Sequence, residues 1–294
     1  MKYFYGAGKR GPYFEGWQLR HQAPGGETLS LFPLLRIDKA GNTEAVIRVE
    51  SREGAWSVSC PGESFQASEG LFQIWVQGSL FNRKGLWLDL RSGGITLCGE
   101  LRYGPFTPLK YDLMGPLGAL PVFPMRRGVI SMGHRLEGVL LLNGRRIDFT
   151  GGAGFIETFR GTGRPSASLW SQSIWREERS NSILVSVERM PTLTGPRISC
   201  LCAVLYGGRE YRLASYRGAS VERWSTEGAV IRQGALRLAV EPEREGAHPP
   251  VRYRLWEGDN LLFDHLDPWA GYHCVEEKRA AGHENLKYLH YFQW

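Results

Sequence analysis

Three side chains in this sequence combine acid–base character with suggestive surroundings: Glu15, Glu157 and His134. Glu15 stands in Tyr13-Phe14-Glu15-Gly16-Trp17, in period-two phase with Trp17, so on a strand the two share a face. Glu157 follows Gly151-Gly152-Ala153-Gly154-Phe155-Ile156, where the glycines permit close approach of backbone to a ligand. A carboxyl set against an apolar wall holds its proton more tightly and can deliver it as a general acid. The imidazole of His134 or the amide of Gln172 can orient a hydroxyl. Trp17, Trp170, Trp175 and Phe155 can line an apolar cavity, and indole faces stabilise a developing cation. The catalytic candidates are therefore Glu157, Glu15 and His134, and the substrate-binding candidates are Trp17, Trp170, Gln172, Trp175 and Phe155.

Each also has a structural reading. Trp17 can plug the floor of a barrel, and Glu15 can be a buried carboxylate bonded to an arginine such as Arg135. Glu157 can cap a loop or close a salt bridge between domains. His134 can be a satisfied structural histidine, and Trp170 and Trp175 wall aromatics.

The elements that must position these residues are strands. Leu29–Ile37, Ala45–Glu50 and Gly85–Leu90 are short, branched or aromatic, and partly alternating. Turn chemistry separates them at Lys39-Ala40-Gly41-Asn42, Asn82-Arg83-Lys84-Gly85, Ser92-Gly93-Gly94 and Gly207-Gly208. Asn143-Gly144, between Leu140-Leu141-Leu142 and Ile147-Asp148-Phe149, predicts a hairpin with a primed turn. Amphipathic helical patterning is nearly absent before residue 260, so the class is all-β. Near residue 150 the pattern begins again: Tyr13–Trp17 opens one half, and Gly154–Glu157 followed by Leu169–Gln172 opens the other. Two domains are expected, 1–147 and 148–294, each the size of a closed antiparallel barrel, packed together with a shared interface.

Composition narrows the function. The longest apolar runs, such as Val139–Leu142, fall far short of the roughly 20 residues of a membrane-spanning helix. The stretch after Met1 lacks the apolar core of a secretory signal, so a cytoplasmic address is expected. Five scattered cysteines argue for reduced thiols, with Cys200 and Cys202 packed on one strand face. The net charge of +6 is spread along the chain without a basic run, which disfavours nucleic acid and is compatible with transient contact with an anionic membrane surface. His265, His273, His283 and His290, with Asp264 and Asp267, lack tight ligand spacing, so no metal is expected. Gly6-Ala7-Gly8 has no preceding strand and predicts no nucleotide loop.

The stretch Gly11-Pro12-Tyr13-Phe14-Glu15-Gly16-Trp17-Gln18-Leu19-Arg20-His21-Gln22 resembles the opening of the tocopherol cyclase family. A second block is similar to that family's central region in order and spacing. It runs through Gly128–Gly138, Asn143-Gly144, Ile147–Glu157 and Leu169–Ser173, with weaker similarity through Gly208–Tyr216. The resemblance implies a lipocalin-like double barrel and closure of a prenylated hydroquinone to a chromanol ring, with no cofactor. The chain departs from the pattern at Thr158-Phe159-Arg160 and at Ile174-Trp175. That ring closure protonates an alkene while a phenol oxygen attacks the developing tertiary cation, and so needs a positioned acid. Two classes follow: a cyclase-like enzyme acting on an apolar isoprenoid or quinol, and a non-catalytic carrier using the same cavity. A carboxylic acid inside the barrel separates them.

Overall fold

The computed structural model describes residues 2–119, 124–175, 178, 180–190, 195–244 and 248–275. Among these the chain is built of antiparallel strands and three 3-10 turns, with no α-helix. Two compact units emerge: residues 1–112 with 121–163, and residues 113–120 with 164–294. The boundary expected after residue 147 falls inside the first unit, because the strand beyond it pairs with the first strand of the chain.

The first unit holds β1 (Tyr13–Gln22), β2 (Thr28–Ile37), β3 (Thr43–Ser51), β4 (Gly54–Pro61), β5 (Phe65–Ala67), β6 (Gln73–Val76), β7 (Ser79–Asn82), β8 (Gly85–Ser92), β9 (Ile95–Tyr103), β10 (Met125–Leu142), β11 (Arg145–Asp148) and β12 (Ala153–Gly161). They form one sheet in the order β4-β3-β2-β1-β12-β10-β9-β8-β7-β6-β5, with β11 on β10. β3 comes against β6, so the sheet curls over its own inner face. The strand pairing closes no ring among the described residues, and β4 and β5 remain its ends.

The curled face encloses a core of alternate residues from nearly every strand, including Trp17 and Leu19 of β1, Leu29 and Leu31 of β2, Leu86 and Leu88 of β8, and Ile156 of β12. The Asn143-Gly144 turn has φ of 49° and 83°, the primed geometry the dipeptide predicts. β1 is buried along its whole length, on both faces.

The second unit contains β13 (Ala167–Ile174), β14 (Ser182–Met190), β15 (Arg197–Tyr206), β16 (Arg209–Ala214), β17 (Ser220–Ser225), β18 (Gly228–Gln233), β19 (Leu236–Pro242), β20 (Val251–Glu257), β21 (Asn260–Asp267) and β22 (Gly271–Val275). They make two five-stranded sheets, β16-β15-β14-β13-β22 and β17-β18-β19-β20-β21. Leu169, Val185, Cys200, Cys202, Ile231, Tyr253 and Phe263 belong to one core. No helix of the described residues is long and apolar enough to cross a membrane.

Candidate functional site

The register of β1, β12 and β10 decides which candidates can meet. Side chains directly opposite on paired strands share a face. Trp17 faces Thr158, Leu19 faces Ile156 and His21 faces Gly154, so Glu15, Trp17, Leu19 and His21 lie on the inner face. Glu157 is opposite Gln18 and Phe155 is opposite Arg20, on the other face of the same strands. Glu15 and Glu157 therefore sit on opposite sides of one sheet.

Glu15 is fully buried, and its carboxylate accepts the Tyr5 backbone N–H and the Tyr13 hydroxyl, the latter at 2.8 Å. Burial pushes its proton affinity up, while the bonds from Tyr5 and Tyr13 pull it down. No arginine bonds it in the way Arg135 was expected to; Arg135 is exposed. Trp17 packs against Phe4 and stacks on Phe65 at 6.2 Å between ring centroids. This end of the unit is filled with side chains.

Glu157 lies on a strand, not in a loop, and pairs with Arg127 at 3.3 Å, both side chains almost completely buried. Arg127 is opposite Phe159 on β10, which puts it in the same two-residue phase as Glu157.

The third candidate gathers a cluster. His21, Gly154 and His134 form a row across β1, β12 and β10. Two register shifts in β10, between Val129 and Ser131 and between Ser131 and His134, re-aim the strand here, as bulges do. The His134 imidazole lies over Gly154, where a Cβ would stand 2.4 Å from Nε2. Its ring centroid is 4.6 Å from Tyr103 and 4.9 Å from Phe106. The Tyr103 hydroxyl is 2.7 Å from His21 Nε2, and the two rings stack at 5.7 Å.

Ser131 is the hydrogen-bond partner of the His134 ring. Ser131 Oγ donates its one proton to the Gly133 carbonyl at 3.0 Å and accepts the Thr107 N–H. The bond between Ser131 Oγ and His134 Nδ1, 3.1 Å long, runs from the ring when Nδ1 carries the proton. Burial, helped by His21, pushes His134 down to about 3, so the ring is neutral, and with the proton on Nδ1 its Nε2 carries a lone pair. That nitrogen is buried and has no hydrogen-bond partner. Burial also pushes His21 down to about 3 and lifts the Tyr103 hydroxyl well above the ordinary phenol range.

β1 rises about 3.3 Å per residue, so six residues put Glu15 roughly 20 Å from His21. The inner-face acid and the histidine pair stand at opposite ends of one strand. The three catalytic candidates thus do not converge: Glu15 is with Tyr13, Glu157 with Arg127, and His134 with His21, Tyr103, Phe106 and Ser131.

The remaining candidates belong to the second unit. Trp170 and Gln172 are buried on the face of β13 opposite its Leu169 core, and Trp170 is 5.9 Å from His273. Trp175 packs edge-on to Tyr206 and Phe263 within that unit's core. Beside them run two buried couples that the sequence did not single out, Ser171 with Tyr253 at 2.6 Å and Ser173 with Asp267 at 2.6 Å. Among the described residues no group of His, Cys, Asp and Glu could hold a metal; His283 and His290 lie outside the described residues.

His21, Tyr103, Ser131 and Arg127 were also missed as site residues. His21 was recoverable, since it stands in phase with Glu15 and Trp17. Tyr103 was not, because it meets Leu136 only through pairing of distant strands.

No family model and no curated protein matches the sequence. Solved structures match the fold. An AttH-like protein of Nitrosomonas europaea aligns with a TM-score of 0.55 at 12% identity, covering 88% of this chain and 91% of its own. Kievitone hydratase from Nectria haematococca aligns at 0.51 and 12%, covering 90% and 88%. CghA aligns at 0.57 and 10%, covering 91% and 90%. These likenesses, at 10–12% identity, show a shared fold.

Proposed function

We propose that the chain binds an apolar small molecule carrying a hydroxyl group, of the prenylated quinol or isoprenoid class, and adds that O–H across an alkene of the same molecule. In this reading each unit is a lipocalin-like container, and His134 holds the reacting hydroxyl. The observation that carries it is the buried His134 Nε2, which no described group hydrogen-bonds. A buried ring nitrogen without a partner is costly, and a substrate hydroxyl, able to donate or accept, would remove that cost.

The chemistry balances without a cofactor. The C–O bond forms, the alkene π bond breaks, and one proton passes from oxygen to carbon. A hydronium ion protonates the alkene carbon, the hydroxyl oxygen attacks the tertiary cation so formed, and the hydroxyl proton returns to water, while His134, kept neutral by burial, positions the hydroxyl. The flanking rings of Tyr103 and Phe106 offer faces to the developing cation. Kievitone hydratase is by its name a hydratase, and CghA has been seen with Sch210972.

A specific observation favours the carrier as the second reading: the carboxyls of Glu15 and Glu157 are engaged by Tyr5, Tyr13 and Arg127. Incubating the chain with prenylated quinols, with mass and chromatographic analysis of products, separates the two. Chromanol formation that His134→Gln reduces by roughly 10² or more supports the enzyme. Saturable tryptophan quenching without product supports the carrier, and neither response overturns both.

A further inference from the structure

The outer face of the first unit carries a half-exposed apolar ladder. Trp75 of β6, Leu80 of β7 and Trp87 of β8 are directly opposite one another across three strands. Trp75 is 40% and Trp87 45% exposed, and Leu141 of β10, on the same outer face, is 41% exposed. Alongside Trp87 runs a groove of about 980 Å³ bordered by Arg83, Lys84, Arg102 and Arg135.

These four cations differ from most others on the surface. Arg91, Arg145, Arg146, Arg223, Arg232 and Arg252 each hold a carboxylate. Among the described residues Arg83, Lys84, Arg102 and Arg135 hold none. Arg83 lies instead over the ring of Phe106. Glu100 and Glu137 also border the groove, which leaves four cations against two carboxylates beside exposed tryptophans.

We propose that this face docks on an anionic lipid surface, with Trp75 and Trp87 at headgroup depth and the four cations over the lipid charges. Tryptophan favours that depth because its ring is apolar and its N–H is wet. Unpaired cations lose no ion pair on approach, and each contributes attraction to an anionic leaflet. A soluble anion would satisfy the cations but leave the Trp75-Leu80-Trp87 ladder in water. The docking itself does not depend on what reaction follows.

The test is sedimentation of the full chain with vesicles of phosphatidylcholine alone or mixed with phosphatidylglycerol, at low and high salt. The expected result is binding to the anionic vesicles that salt weakens, with little on neutral ones. Lys84→Gln with Arg102→Gln should lower partitioning by ten- to thirtyfold, at about fivefold per charge. Trp75→Ser with Trp87→Ser should lower it at least tenfold, with the melting temperature unchanged because these side chains are exposed. Arg209→Gln with Arg217→Gln, in the second unit, removes the same charge and should leave partitioning nearly unaltered. Failure to bind anionic vesicles, or an equal loss in this control, overturns the proposal. So does a wild-type dimer in solution that the tryptophan substitutions dissociate, since the face would then belong to a second copy.

Discussion

The His134 imidazole occupies the space where a side chain on Gly154 would be, with Nε2 2.4 Å from the position of that missing Cβ. Gly154 is thus kept small by His134, which lies two strands from His21. Gly154→Ala should cost about 1–3 kcal/mol, the usual range for overpacking a filled interior. The same substitution in a His134→Ala background should cost much less. Urea denaturation of the two singles and the double gives the coupling; additive effects would show that the ring does not press on Gly154.

The two buried histidines also set an acid limit. Both are pushed to about 3 from 6.5, so below 6.5 the unfolded chain binds protons that the folded chain does not. Stability present above pH 6.5 is therefore lost as the pH falls toward 3, with a slope of up to about 1.4 kcal/mol per pH unit for each histidine. Denaturation midpoints between pH 7 and pH 5 should fall accordingly, and His134→Gln should flatten the slope. An unchanged slope would show that His134 titrates normally in the folded chain.

Glu157 is expected to matter for folding more than for turnover. Glu157→Gln leaves Arg127 buried against a neutral amide and should destabilise the chain by about 3–5 kcal/mol, the range for breaking a buried pair. Replacing both, as Arg127→Met with Glu157→Met, should recover most of that loss. Turnover lost at unchanged stability would instead mark Glu157 as the acid.

The class of fold was legible because strand signals are local. The branched residues of Ala45–Glu50 and the Asn143-Gly144 turn each act within a few residues, and both the strand and the turn appear, though β3 is buried on both faces. Domain limits and site geometry are not local. β12 lies beyond residue 147 yet completes the first unit, because it pairs with β1 across more than a hundred residues. The phase of Glu15 with Trp17 was readable from β1 alone, whereas the opposite phase of Glu157 depends on the register of β12 on β1. The bulges that turn His134 onto Gly154 leave no mark in composition.

The claim that most needs testing is that His134 Nε2 is an unprotonated acceptor waiting for a ligand hydroxyl. Nitrogen NMR of histidine-labelled chain reads that atom directly, with His134→Gln assigning its resonance. The account predicts an Nε2 signal of the unprotonated type at neutral pH that shifts saturably on addition of a prenylated quinol, and far less with the same quinol capped as its methyl ether. A protonated Nε2 in the free chain, or an equal shift with quinol and ether, would contradict it.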